Sequence, residues 1–207
     1  MTLDVLGLLA ACSYALDCVE AELVHVTNNH SKRVAYMSVC IAKQMGIQEE
    51  SLQDLAVCAL LHDNALTQYI QEELHNDISQ IAVTQEVPKL GAHCIWGEKN
   101  VAELPFHTDV SDVILYHHEN ADGSGPFGKK WDEIPLFSRI IHLCDLLDIA
   151  CRTKKFAEGT WKVAEQFVQN STGTMFDREC RDAFLRAFSE EQFLSLDRET
   201  FEDQLWK

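Results

Sequence analysis

The sequence lacks a long apolar run and a basic N-terminus. No stretch of about 18 or more uninterrupted apolar residues occurs, so no membrane-spanning helix is expected. The first residues, Met1 to Asp4, include an early acid where a signal peptide would carry basic residues. We therefore expect a cytoplasmic protein that has no membrane partner.

Basic residues are also scarce. The chain has 17 lysines and arginines against 33 aspartates and glutamates, a formal net charge of -16. Binding to a nucleic acid polymer or to anionic lipid needs a basic surface, so neither partner is expected. A polyanionic substrate would need local help from cations, and bound metal ions could supply it.

No pair of cysteines has the CxxC spacing, and the eight cysteines lie mostly inside apolar segments. In a reducing compartment this pattern favours small core residues over disulfides or zinc thiolates. The cysteines are Cys12, Cys18, Cys40, Cys58, Cys94, Cys144, Cys151 and Cys180.

Strand signals are sparse, and the sequence shows no repeat, linker or low-complexity tract. With 207 residues and 46% hydrophobic content, the chain can bury one sizeable core. Helical periodicity predicts an all-α bundle in a single domain over residues 1–207. We expect an N-terminal helix over 1–25, a core over 26–188 and an acidic tail over 189–207.

Periodic apolar positions and stop signals predict the helices of this core. In the first of them His30 shares the buried stripe of Val34, Met37 and Ile41. Further helices are predicted from Ser51 towards His62, around His93, over about 109–117, from Pro135 to about Thr153, and around 160–169 and 177–188.

The adjacent pair His62-Asp63 closes the apolar run 55–61 and is the strongest chemical signal. Five imidazoles and two carboxylates spread over several helices favour catalytic, octahedral metals such as Fe or Mn over a closed zinc site. A carboxylate bridging two such ions suits phosphoester hydrolysis. The candidate metal ligands are His30, His62, Asp63, His93, His117, His118 and Asp145.

Each candidate ligand also has a structural explanation. A lone histidine on an apolar helix face is more often a hydrogen-bonded core residue, and His62-Asp63 could be a polar helix end. Asp145 could pair with Arg139 or Arg152 instead of a metal. The remaining histidines, among them His107 and His142, are taken as structural or surface residues.

The loop over residues 120–128 is rich in glycine and begins just after His117-His118. Its Asp122-Gly123 is a turn signal that could also contact substrate. Lys129 and Lys130 follow the loop closely and could approach a substrate phosphate, although such lysines are ordinarily solvated. Arg152 lies on the Asp145 side of its helix and is a further candidate for binding substrate.

The ordered motifs resemble the HD-GYP subgroup of the HD-domain phosphohydrolases. The resemblance spans roughly residues 20–188. Its matching pieces are His30-Ser-Lys-Arg-Val34, Ala59-Leu-Leu-His-Asp63, Gly91-Ala-His93 with Gly97, the segment 117–125 that begins His-His-Glu, and the segment 134–148 that contains Asp145.

This resemblance implies an HD-GYP helical fold and a centre of two divalent metal ions. By the family's pattern Asp63 bridges the ions and holds a bridging hydroxide. One ion would take His30, His62 and Asp145 besides Asp63, and the other His93, His117 and His118. The family hydrolyses cyclic dinucleotides, principally cyclic di-GMP, so a cyclic dinucleotide phosphodiesterase is expected.

Three positions depart from the family's pattern. Gly125-Pro126-Phe127 stands where the family commonly has Gly-Tyr-Pro, and Leu66 stands where it has a lysine. Some members add a glutamate for a third metal where this chain has Val26, so two metals are expected. An HD-type phosphohydrolase acting on another nucleotide or phosphoester is therefore the alternative.

A catalytically silent signalling or binding module is the second alternative. It would bind a dinucleotide or a protein through the same cleft, although a silent module has no need of a complete ligand set. The apolar stripe of residues 1–25 could pair in a homodimer or with a sensory partner.

Overall fold

Helices are the regular secondary structure of the residues that the computed structural model describes, which are 13, 16, 29–72, 87–152 and 159–197. Within these ranges the β-type pairing consists of two isolated bridges, so the all-α prediction is confirmed. The α-helices are α1 (His30–Gln44), α2 (Glu49–Leu60), α3 (Leu66–Glu72), α4 (Val87–Val101), α5 (Leu136–Arg152), α6 (Thr160–Asn170), α7 (Arg178–Ala187) and α8 (Glu190–Leu194), and a 3₁₀ helix, Ser195–Asp197, follows.

Helix α1 lies at the centre of the bundle and packs against α2, α5 and α7. Its predicted apolar stripe of Val34, Met37 and Ile41 is fully buried in the main core. Burial of each such side chain contributes roughly 1.5–3 kcal/mol of hydrophobic stabilisation. Because His30 lies on the same stripe, it is buried as well.

A second, smaller apolar cluster joins α3 to α4. Tyr69 is buried there and packs with Leu66, Ala92 and Trp96. This contact holds α4, the helix that carries His93, against the segment that follows His62-Asp63. In the part of the chain that is described, no helix combines the length and apolarity needed to cross a membrane.

The segment before His117 differs from its prediction. An α-helix was expected over 109–117, but residues 111–118 form successive turns, and Asp112 has a left-handed φ of 66°. The Glu98 carboxylate of α4 accepts the backbone N–H groups of Asp112, Ile114 and Leu115 at 2.7, 3.1 and 3.1 Å. Because these donors are bound to a side chain, they do not enter a regular helical ladder.

Replacing Glu98 with glutamine should lower the free energy of unfolding by about 1–3 kcal/mol. The amide keeps the shape of the carboxylate, but its NH₂ group would face backbone N–H donors. Denaturant unfolding of the variant measures this change. The exposed Glu103, changed to glutamine in the same way, is the control, and equal stability of both variants would show that Glu98 does not hold these turns.

The C-terminal helices are fixed by side-chain caps. The Asp177 carboxylate accepts the N–H of Cys180 at the start of α7, and Ser189 with Gln192 forms a capping box at α8. Phe193 and Leu196 are buried, so residues 190–197 of the predicted tail are structured. The predicted N-terminal helix over 1–25, apart from Ser13 and Leu16, and residues 198–207 lie outside the described part of the chain.

Candidate metal centre

The structure brings all seven predicted ligands together in the interior. His30 begins α1, His62 and Asp63 follow the end of α2, and Asp145 lies in α5. Five of the seven are almost wholly buried, and the side chains of Asp63 and His118 are 17% and 15% exposed. Their ligand atoms form two groups, one of His30, His62 and Asp145 and one that contains His93, His117 and His118.

The Asp63 carboxylate lies between these two groups. Its Oδ1 is 3.3 Å from His93 Nε2 and 3.5 Å from His117 Nε2, whereas its Oδ2 is 3.5 Å from His62 Nε2. One oxygen therefore faces each group. This is the arrangement that a carboxylate shared by two ions requires.

The Asp145 carboxylate also faces both groups. Its Oδ1 lies 3.3 Å from His30 Nε2, and its Oδ2 lies 3.9 Å from His118 Nδ1. Arg139, one alternative partner for Asp145, instead has its Nη1 3.2 Å from Asp177 Oδ2 and 3.8 Å from Glu179 Oε2.

The distances in the cluster suit metal ligands better than hydrogen bonds. Good N–H···O bonds are about 2.7–3.2 Å long, but two ligand atoms bonded to one ion at about 2.1 Å lie roughly 3.0–3.4 Å apart at octahedral or tetrahedral angles. The separations of 3.3–3.5 Å around Asp63 fall close to the second range. His62 Nε2, His117 Nε2 and Asp63 Oδ1 are buried without a hydrogen-bond partner among the described residues, so the cluster fits divalent ions.

Backbone carbonyls fix the orientation of two of these histidines. His62 Nδ1 lies 2.9 Å from the Ala59 carbonyl oxygen, and His117 Nδ1 lies 2.6 Å from that of Ile114. A carbonyl only accepts, so Nδ1 carries a proton in both rings, and Nε2 is the nitrogen that faces Asp63.

The buried ion pair Arg33–Asp148 orients the third histidine, His30. The sequence motifs did not indicate a role for either residue of this pair. His30 Nδ1 donates to Asp148 Oδ2 at 2.7 Å, and Arg33 donates to both oxygens of Asp148 at 2.6 and 2.8 Å. Burial raises the pKa of Asp148, but the bonds from Arg33 and His30 lower it by more, to about 2. The signal was present in the sequence, because Arg33 and Asp148 each lie three residues, about one helical turn, after His30 and Asp145.

Electrostatics within the cluster differ from one histidine to the next. Burial lowers the pKa of His62, and burial with the neighbouring His117 and His93 lowers that of His118 well below its usual value. These shifts favour the neutral imidazole that binds metals. For His93, burial also lowers the pKa, but the nearby Asp63 and Cys94 outweigh burial and raise the pKa to about 9.

One residue of the second group was expected to be only a core residue. Cys94 is fully buried, and its Sγ lies 3.6 Å from His93 Nε2. Burial raises the pKa of this thiol, but His117 and His93 lower it by more, to about 7. The lack of CxxC spacing gave no sign of this placement, because two of the ring nitrogens near Cys94 belong to His117 and His118, which come from another segment of the chain.

The glycine-rich loop is anchored beside the cluster by Glu119. Its buried carboxylate accepts the backbone N–H groups of Phe127 and Lys129. A Cβ on Gly91 of α4 would meet Phe127 Cζ at 3.2 Å, so the loop packs closely on the helix that carries His93. The Phe127 ring also meets Tyr116 edge-on, with centroids 5.7 Å apart.

Three of the residues predicted to contact substrate bond with one another or with nearby residues of the chain. Asp122 forms an antiparallel bridge with Lys130, whose side chain passes beside Gly123. Lys129 Nζ lies 3.4 Å from Glu133 Oε1. Arg152 ends α5, but its side chain lies outside what the structure describes.

Comparison with known proteins agrees with this architecture. A family model described as HD domain matches residues 16–180. The chain is 28% identical over 166 residues to the cyclic di-GMP phosphodiesterase response regulator RpfG of Xanthomonas campestris, covering 77% of this chain and 43% of that protein. It is 30% identical over 173 residues to the 3'3'-cGAMP-specific phosphodiesterase 3 of Vibrio cholerae, covering 79% of this chain and 35% of that protein.

A solved structure has the same fold. The cyclic GMP-AMP specific phosphodiesterase V-cGAP3 of V. cholerae aligns with a TM-score of 0.77 at 22% identity, covering 98% of this chain and 53% of that one. At this identity the likeness shows the fold alone. The chain spans less than half the length of the curated relatives it matches.

Proposed function

The chain belongs to the HD-domain family, of the HD-GYP type that its motifs resemble, and we propose that it is a metal-dependent phosphodiesterase hydrolysing a cyclic dinucleotide, cyclic di-GMP foremost. The observation that carries the proposal is the position of Asp63, with one carboxylate oxygen facing each group of buried histidines. The names of the relatives from X. campestris and V. cholerae support a cyclic dinucleotide as the substrate class.

The proposed centre holds two divalent ions, Fe or Mn. His30, His62 and Asp145 would hold one ion and His93, His117 and His118 the other, with Asp63 shared. Bound ions of this kind make water a nucleophile at neutral pH and neutralise charge on a phosphoryl group. In a chain with a net charge of -16, they would also offset repulsion of a polyanionic substrate.

The protein's own contribution is to hold the ligands rigidly. The Ala59 and Ile114 carbonyls and the Asp148 carboxylate fix three imidazole rings, so that each Nε2 points at a carboxylate. Preorganised groups of this kind need no reorganisation during reaction. Glu119 holds the glycine-rich loop next to His117-His118, and we propose that this loop and Lys129, Lys130 and Arg152 contact the substrate.

A second candidate is an HD-type phosphohydrolase that acts on another nucleotide or phosphoester. Leu66 favours it, because this residue packs against Tyr69 where the family's lysine would offer a cation to the substrate. The Pro126-Phe127 sequence of the loop also favours this second candidate, because the Phe127 ring packs against Tyr116 and Gly91. A loop packed in this way would offer a nucleotide base a different surface from that of a Gly-Tyr-Pro loop.

Turnover on a panel of substrates separates the two candidates. We expect anaerobically purified protein to contain two metal ions per chain and to linearise cyclic di-GMP or 3'3'-cGAMP faster than it cleaves linear dinucleotides or phosphomonoesters. The measurements are elemental analysis and product chromatography. Faster cleavage of a phosphomonoester would favour the second candidate, and two bound metals without turnover of any substrate would contradict both.

A further inference from the structure

The thiol of Cys94 shares one space with three histidine rings. Its Sγ and one ring nitrogen each of His93, His117 and His118 all lie within 4.8 Å of one another. Cys94 and His117 are fully buried, and His93 is 1% exposed. A buried set of one sulfur and three nitrogens can surround a single ion.

The separation of sulfur and nitrogen supports binding to a common ion. Metal–nitrogen and metal–sulfur bonds of about 2.1 and 2.3 Å place the two ligand atoms roughly 3.1 Å apart at an octahedral angle and about 3.6 Å apart at a tetrahedral one. Cys94 Sγ lies 3.6 Å from His93 Nε2. The buried His117 Nε2, which has no hydrogen-bond partner among the described residues, independently marks the same space as a ligand site.

Packing alone does not account for Cys94. Cys58, Cys144 and Cys180 are members of the main hydrophobic cluster, as their burial in apolar segments predicted. Cys94 is as buried as these three, but it belongs to neither of the two hydrophobic clusters of the described residues. Its sulfur lies instead beside histidine nitrogens.

We propose that Cys94 is a thiolate ligand of the ion held by His93, His117 and His118, so that this half of the centre prefers Fe(II) or Zn(II) to Mn(II). The inference rests on the metal centre of the proposed function. The sulfur lone pair forms the bond to the metal, the thiol proton leaves to solvent, and nothing is oxidised or reduced. Thiolates favour softer metals, whereas Mn favours oxygen ligands, which gives the preference its direction.

Cobalt substitution tests the sulfur bond directly. Metal-free protein saturated with Co(II) under anaerobic conditions should show a thiolate-to-cobalt charge-transfer band in the near ultraviolet. X-ray absorption of the same sample should show one sulfur neighbour at about 2.3 Å from cobalt. The Cys94→Ser variant should lose both signals, and Cys58→Ser, the matched buried cysteine, should keep them.

Metal competition tests the selectivity. We compare the ratio of Zn(II) affinity to Mn(II) affinity in wild-type protein and in Cys94→Ser. This ratio should be at least roughly tenfold higher in the wild type, because loss of even an outer-shell partner weakens metal binding by that factor. A cobalt-loaded wild type with no sulfur signal, an unchanged band in Cys94→Ser, or equal selectivity in both would overturn the proposal. The wild-type spectrum decides even if the variant fails to fold.

The outcome is independent of turnover. A sulfur signal in a protein that cleaves no phosphodiester would uphold Cys94 as a ligand while the proposed function failed. Rapid cleavage of a cyclic dinucleotide by a cobalt form without sulfur coordination would do the reverse.

Discussion

Replacing Asp63 with asparagine should abolish binding of two metals and lower turnover by more than about 100-fold. Loss of an outer-shell partner alone costs roughly 10–100-fold, and Asp63 is a proposed ligand of both ions. The two carboxylate oxygens of Asp63 face different histidine groups, at 3.3–3.5 Å from His93, His117 and His62. An amide offers one neutral oxygen, and its NH₂ group would face one set of nitrogen lone pairs. Elemental analysis and turnover of a cyclic dinucleotide measure the two effects.

The control for this variant is Asp132→Asn, which changes an exposed carboxylate in the same way. It should keep two metals and wild-type turnover. Unfolding of both metal-free variants should be cooperative, so that a loss of metal can be assigned to the site. An Asp63→Asn protein that retains both metals and its turnover would show that Asp63 is not a shared ligand.

The sequence predicted the scaffold of the site well where side-chain periodicity was decisive. The stripe of Val34, Met37 and Ile41 predicted both α1 and the inward direction of His30, and all four are buried. The apolar run before His62 likewise predicted that the pair His62-Asp63 lies at the inner end of α2. In these segments local periodicity and tertiary burial agree.

Prediction failed where a distant side chain determines the backbone. The periodicity of residues 109–117 is helical, but the Glu98 carboxylate binds three of the N–H groups that a helix would use. Nothing in the local sequence indicates that Glu98 is close. The same holds for Cys94, because side chains adjacent on a helix point about 100° apart, and only the packed structure shows a site wide enough to meet both His93 and Cys94.

The Arg33–Asp148 pair could be anticipated in position but not in role. Helical spacing places Arg33 one turn after His30 and Asp148 one turn after Asp145. Which acid meets which cation depends on how α1 crosses α5, and this depends on the packing of both helices against the core. The structure pairs Asp148 with Arg33 and His30 and leaves Asp145 facing the histidine cluster.

Replacing Asp148 with asparagine should lower the free energy of unfolding by roughly 3–5 kcal/mol, the usual cost of removing one partner of a buried ion pair. Asp148 is 1% exposed and accepts two hydrogen bonds from the 6% exposed Arg33. The variant takes the negative charge of Asp148 away from the buried guanidinium. Denaturant unfolding of metal-free protein near neutral pH measures the loss.

The pH dependence of this loss has a definite sign. The native pKa of Asp148 is lowered from 3.8 to about 2, because Arg33 and His30 outweigh the effect of burial. The stabilisation is therefore fully present above about pH 4 and is lost as the pH falls through about 2. Across that interval the stability difference between wild type and Asp148→Asn should shrink, as unfolding curves at successive pH values will show.

The exposed pair Arg181–Asp182 is the matched control. Arg181 Nη2 lies 2.6 Å from Asp182 Oδ1, but the two side chains are 24% and 44% exposed, so Asp182→Asn should cost at most about 1 kcal/mol. Asp148→Asn should also weaken metal binding roughly 10–100-fold, because His30 loses the carboxylate that orients its ring. Equal stabilities of the two variants would show that the buried pair does not stabilise α1 against α5. Unchanged metal affinity in Asp148→Asn would show that Asp148 does not orient His30.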